Sequence, residues 1–233
     1  MTLKSLSIAF ATTAIVAVAS TAFAQEVDKS GTNVDTAATG TKGGVAQIAL
    51  AQDLYALGLA NKDALAVVTA AKLLSEVTVT EDTSRTPKTT GEGEAAEAGE
   101  AAPPVDLGVM LASARELAGD DETITALITD IETAGSRGRI GGPSSTLSRL
   151  PAGFTDTWEV PFFGNSYAEL AVLGDGDANL DVWVTDENGN TICYDVSWSD
   201  KVSCDFVPAW NGYFYVTVEN NGSRRNSYYL VTN

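Results

Sequence analysis

From Phe154 to the C-terminus, apolar side chains fall at every second position in seven short runs: 158–163, 167–173, 180–185, 191–194, 202–207, 213–219 and 227–232. Gly, Asn and Asp turn signals separate the runs, Asn188-Gly189 and Asn221-Gly222 among them. A period of two places alternate side chains on opposite faces of a strand, and connections this short join antiparallel neighbours. Seven such strands in roughly eighty residues predict an all-β antiparallel sandwich over 154–233.

Upstream, the period is helical. Between Val45 and Ala60 the chain is apolar except for Gln47, Gln52 and Asp53, which predicts a helix buried over much of its circumference. Asn61-Lys62-Asp63 interrupts it, and Ala64, Val67, Val68, Ala71 and Leu74 then define one face of a second helix, closing an αα-hairpin. The periodicity returns with Leu107, Met110, Leu111, Ala114 and Leu117 and stops at Gly119. It restarts after Asp120, whose carboxylate is expected to cap the helix of Ile124, Leu127, Ile128 and Ile131 before Gly135 ends it. The fold class is therefore α+β multidomain: a small N-terminal unit of four helices in two hairpins over 45–134, then the sandwich.

The segments between are polar or of low complexity. Residues 25–44, rich in Thr, Ala, Gly and Asp, read as a disordered lead-in, and 84–104 as a mobile acidic loop with four glutamates from Glu92 to Glu100. Residues 135–153 read as an Arg/Gly/Ser linker carrying Arg137, Arg139 and Arg149, either a solvated tether or a site for a trypsin-like protease. At the start, Lys4, an apolar run and Ala22-Phe23-Ala24 have the layout of a signal peptide over 1–24. The expectation is an exported protein, periplasmic or extracellular, beginning at Gln25 with no membrane span after the leader is removed.

Net charge is −17, and −18 once Lys4 leaves with the leader, which repels phosphate backbones and makes nucleic acid an unsuitable partner. The chain has no histidine, so nucleophile systems that use a histidine base and histidine-ligated zinc or copper sites are excluded. Cys193 and Cys204, the only cysteines, are expected to form a disulfide in an exported protein.

Two stretches carry candidate sites. In GDGDANLDVWVTDENGN, residues 174–190, Asp175, Asp177, Asn179 and Asp181 alternate as oxygen ligands do in a calcium loop, with Asp186 at the closing position. Leu180 stands where an EF-hand needs glycine and a strand follows, so an EF-hand is excluded. What remains is either a looser calcium site on Asp175, Asp177 and Asp181 or a metal-free turn. The second candidate is aromatic: Tyr213 and Tyr215 alternate against Phe214, Val216 and Val218, and Trp183 against Val182 and Val184. These rings either line an outer face fit to stack on sugars or peptides, or are covered by the helical unit or one another.

The succession D-x-N-L-D-V-W-V-x-D-E-N-G-N at 177–190, P-A-W-N-G-Y-F-Y-V-T-V at 208–218 and Y-Y-L-V at 228–231 resembles the bacterial pre-peptidase C-terminal domain. The resemblance covers about 154–233 and implies a compact β-sandwich with an accessory, non-catalytic role in exported proteins. The functional expectation is an exported binding or accessory protein: the helical module contacts a protein partner, and the sandwich contacts an extracellular or envelope polysaccharide or protein. The alternatives are a secreted hydrolase using paired carboxylates and a structural or secretion-assisting protein with no ligand.

Overall fold

A computed structural model describes residues 28–91, 105–134, 142–176 and 179–233. The expected leader, 1–24, lies outside them.

Four helices come first: α1 (Gly44–Asn61), α2 (Ala64–Ser75), α3 (Leu107–Ala118) and α4 (Glu122–Ala134). The break between α1 and α2 falls where Asn61-Lys62-Asp63 predicts it. Lys62 takes the left-handed conformation that stops α1, and the Asp63 carboxylate accepts the Ala66 amide at 3.1 Å to start α2. Asp106 caps α3 in the same way, through the Val109 amide at 2.8 Å. For α4 the cap is Asp121, not the expected Asp120. The helix begins at Glu122, so the residue just before it is the one whose Oδ1 reaches the amides of Thr123 and Ile124. Val67, Ala71, Met110, Ala114 and Ile128 form the shared core of this unit.

The strands are β1 (Thr80–Glu81), β2 (Lys88–Gly91), β3 (Ser144–Leu150), β4 (Phe154–Phe162), β5 (Ala168–Gly174), β6 (Leu180–Asp186), β7 (Thr191–Asp195), β8 (Lys201–Phe206), β9 (Gly212–Asn220) and β10 (Asn226–Thr232). They build two five-stranded sheets, in order β1-β3-β10-β5-β8 and β2-β4-β9-β6-β7. All pairs are antiparallel except β1 with β3. Each of the seven runs read from the sequence appears, as β4 to β10. Trp158, Val160, Leu170, Val172, Val184, Phe214, Val216 and Leu230 fill the space between the sheets. The Cys193–Cys204 disulfide is present and ties β7 of one sheet to β8 of the other, with Cα atoms 6.4 Å apart.

Three readings of polar segments are corrected. Within 135–153, expected as a linker, residues 144–150 are β3, paired along its whole length with β10 and ending in the fully buried Leu150. Its inward side chains Thr146 and Ser148 are polar and satisfied by hydrogen bonds, so the strand lacks the apolar alternation that would reveal it. Within 84–104, Lys88–Gly91 is β2, an exposed edge strand paired with β4. Residues 92–104 of that loop and 135–141 of that linker lie outside the described residues.

The third is the lead-in. Of 25–44, residues 28–43 run against the sandwich in a fixed path. Asn33 is fully buried: its amide donates to Asp186 at 2.8 Å, its side-chain amide donates to Glu187, and its Oδ1 accepts the Trp210 amide at 3.0 Å. Val34 packs on the core, and the Asp35 amide donates to the Val207 carbonyl. The segment is held by polar groups rather than apolar burial, which is why its composition reads as disorder.

The helical unit rests on one sheet only. Val45 and Ile48 of α1 pack on Ala171, Leu173 and Val231, which face outward from β5 and β10. Glu169, next along that face of β5, accepts the Gly43 amide at 2.8 Å, placing a carboxylate at the N-terminus of α1.

Candidate functional site

With the helices seated on the β5 and β10 side, no described helix covers the outer face of the other sheet. Pairing register determines what stands there, because residues directly opposite in antiparallel strands share a face. Trp183 of β6 is opposite Tyr194 of β7 and Thr217 of β9, and Thr217 is opposite Thr157 of β4. One row along, Tyr215 lies between Thr185 and Glu159, and beyond it Tyr213 is opposite Pro161. Trp183, Tyr213 and Tyr215 are therefore brought together on one surface, as the alternation predicts. Four neighbouring strands at about 4.8 Å spacing make that surface roughly 15 Å across.

Exposure differs along it. Tyr194 is 64% and Tyr213 51% exposed, whereas Trp183 and Tyr215 are half-buried between their neighbours. The half-buried rings keep fixed orientations and the exposed ones have room to meet a ligand. Threonine hydroxyls of Thr157, Thr185 and Thr217 and the carboxylate of Glu159 lie between the rings, so the face alternates apolar planes with hydrogen-bonding groups.

Tyr194 was not among the residues singled out from the sequence. The signal was there: Cys193 must point inward to bridge to Cys204, so Tyr194 must point out. Two further aromatics are exposed nearby in sequence, Phe163 at the end of β4, 75% exposed, and Trp198 in the β7–β8 connection, 98% exposed. Phe163, Pro161 and Tyr213 line a cleft of about 430 Å³ with Lys29, Glu187 and Asn211. That cleft continues the aromatic face at its β4–β9 end.

In the acidic turn the described carboxylates accept hydrogen bonds. Asp175 accepts the Ser227 amide at 2.7 Å, and Asp181 accepts from the side chains of Asn179 and Asn221 at 3.0 and 2.7 Å. Asp200, absent from the sequence-based set, contributes its carboxylate to the Gly176 amide in the same turn. Asp177 lies outside the described residues, and among the described residues no three acidic, cysteine or histidine side chains gather as a metal site. Asp186 cannot be the closing ligand of that turn. It sits at the far end of β6 from Leu180, about 20 Å along the strand, and its buried carboxylate accepts the amides of Asn33, Asn188 and Asn190. Burial pushes that carboxyl up, and the hydrogen bonds from Asn190, Asn33 and Asn188 outweigh it, leaving Asp186 below its ordinary value.

No family model matches the chain, and no curated protein matches it. Among solved structures, the pre-peptidase C-terminal domain of a collagenase from Bacillus anthracis matches at 17% identity with a TM-score of 0.33, over 38% of this chain and 87% of that one. The carbohydrate-binding module CBM36, solved with calcium and xylotriose, matches at 8% identity with a TM-score of 0.24, over 37% of this chain and 86% of that one.

Proposed function

We propose that this chain is an exported, non-catalytic binding protein whose open sheet face docks an extended polysaccharide. The observation that carries the reading is the collection of Trp183, Tyr194, Tyr213 and Tyr215 on the one sheet face that the helices leave uncovered. Flat rings interleaved with hydroxyls suit pyranose units, which present apolar ring faces and an equatorial belt of hydroxyls. The helical unit, with Leu50 and Leu57 exposed two turns apart on α1, serves a protein partner in this reading. The disulfide supports export to an oxidising compartment. Calcium at Asp175 and Asp181 with Asp177 remains part of the proposal and would brace the turn that leads into β6.

The test is co-sedimentation with insoluble polysaccharides and envelope fractions in high salt. Binding should persist, and Trp183→Ala or Tyr215→Ala should each weaken it about ten-fold or more, as removal of a central aromatic anchor does. Leu57→Ala, on the helical unit, should leave it unchanged. Retention of full binding by both ring variants, or no binding to any polysaccharide, would overturn the reading. Millimolar calcium should raise the melting temperature if the turn is a metal site; equal stability in calcium and in chelator would remove calcium from the proposal.

A further inference from the structure

A second cavity lies on the other side of the molecule, where the helices meet the sheet. It measures about 390 Å³, within the range of small-ligand pockets, and it occupies the seam between two layers, where such pockets concentrate. Ile48 and Leu74 form its helical wall, and Leu147, Leu173 and Val231 its sheet wall. Glu81, Asp106 and Tyr229 belong to the same lining, and both carboxylates act electrostatically on the Tyr229 hydroxyl, whose pKa is raised first by burial and then by Asp106 and Glu81. Arg149, two residues along β3 from Leu147, acts on that hydroxyl in the opposite direction, and Arg85, bonded to Ser144 and Thr232, is ion-paired with Asp82. Gln52, nearly buried in the same wall, is already committed through its side-chain amide to the Val105 carbonyl at 2.7 Å. The lining is thus mostly apolar and carries two carboxylates.

We propose that this cavity binds a small amphiphilic organic cation, with an apolar body among Ile48, Leu147 and Leu173 and an ammonium group between Glu81 and Asp106 over the Tyr229 ring. The two carboxylates disfavour a fatty acid or a phosphorylated head. An aromatic face beside two carboxylates favours an ammonium over a neutral head of equal size. The site is independent of the aromatic sheet face, since it lies on the opposite sheet.

Three probes with one tail and different heads test it on the full chain: octylammonium, octanol and octanoate, each below its aggregation concentration, followed by calorimetry. Octylammonium should bind about ten-fold or more tighter than octanoate, the effect of one or two charge-assisted contacts, with octanol between them. Glu81→Gln combined with Asp106→Asn, which keeps a capping side chain on α3, should erase the preference while leaving octanol affinity unchanged. Leu147→Trp, which fills the cavity from the sheet side, should abolish binding of all three, with a melting curve to confirm the fold. The head-group comparison needs no variant and stands if either substitution fails to fold. Equal affinity for all three heads, no binding of octylammonium at millimolar concentration, or unchanged binding in folded Leu147→Trp would each overturn the proposal.

Discussion

The hydroxyl of Tyr228 should be worth several kcal/mol to the sandwich, and replacing it with Phe isolates that contribution. Tyr228 is fully buried on β10, where its hydroxyl donates to Asp156 of β4 at 2.7 Å and accepts from the indole nitrogen of Trp158, also at 2.7 Å. Asp156 in turn accepts from Ser148 of β3 at 2.6 Å and Thr89 of β2 at 2.5 Å, so one carboxylate joins both sheets near their β3–β4 connection. Tyr228→Phe keeps the ring and its edge contact with Trp158. It removes a charge-assisted hydrogen bond, about 1.5–3 kcal/mol, and leaves the buried indole N–H without its acceptor, a further ~1–3 kcal/mol. The expected loss is therefore about 2.5–6 kcal/mol, read as a lower urea midpoint at unchanged slope. A loss under about 1 kcal/mol would refute the reasoning, because it would mean the indole and the carboxylate find partners as good elsewhere.

The same substitution has a pH signature. Burial raises the Tyr228 pKa well above the ordinary 10, and the charge and hydrogen bond of Asp156 add to it. A folded-state value above the unfolded one favours the protonated phenol in the fold. Its contribution is whole below about pH 10 and is lost as pH rises from there toward the folded-state pKa. Tyr228→Phe should flatten the alkaline fall in stability. Part of that fall should survive, since Tyr167 is also pushed up, to about 12, by burial and then by Asp205 and Glu169.

Reducing the disulfide, or replacing both cysteines by Ser, should cost about 3 kcal/mol by chain entropy, while two alkylatable thiols in the native protein would contradict the bridge. Gly58→Ala should destabilise the helical unit by about 1–2 kcal/mol, since overpacking costs typically ~1–3 and the helix-propensity gain recovers under ~1. The added Cβ would lie 2.7 Å from Val67 Cγ2 and 3.0 Å from the Val67 backbone nitrogen, and a stabilised variant would show that α1 and α2 separate easily. Asp186→Ala should free residues 28–43 from the sandwich, seen as faster amide exchange at Asn33 and Asp35. In the parent protein the Asp186 contribution should be present above about pH 4 and disappear as pH falls through its lowered pKa; protection already lost between pH 7 and about pH 4 would count against it.

Much of this architecture is legible because alternation and helical period are local signals. The break at Asn61-Lys62-Asp63, the seven strands β4 to β10 and the outward direction of Trp183, Tyr213 and Tyr215 all follow from spacing alone. What spacing misses is structure held by polar groups. β3 hides because Thr146 and Ser148 face inward and bond to Asp82 and Asp156. Residues 28–43 hide because Asn33 is buried on the strength of partners more than 150 positions away. The role of Asp186 was misread for the same reason: counting places it in a calcium loop, while the strand between carries it to the other end of the sheet.

Even the choice of which sheet the helices cover can be traced to the residues. In β6 and β9 every second residue is polar or aromatic and partly exposed, the pattern of a sheet with one face in the core. β5 and β10 break that pattern. β5, Ala168–Gly174, is buried at all seven positions, and β10 at six of seven, so their outward residues Ala171, Leu173 and Val231 need a cover as apolar as the core itself. The helix best suited to supply it is α1, whose low polarity leaves Val45 and Ile48 free for the sheet while Tyr55 serves the helical core. Val45 and Ile48 are spent on that sheet, while Leu50 and Leu57 of the same helix stay exposed. The helices leave the rings of β6, β7 and β9 uncovered, with threonines between them rather than leucines, and it is on that mixed composition that the proposed polysaccharide docking rests.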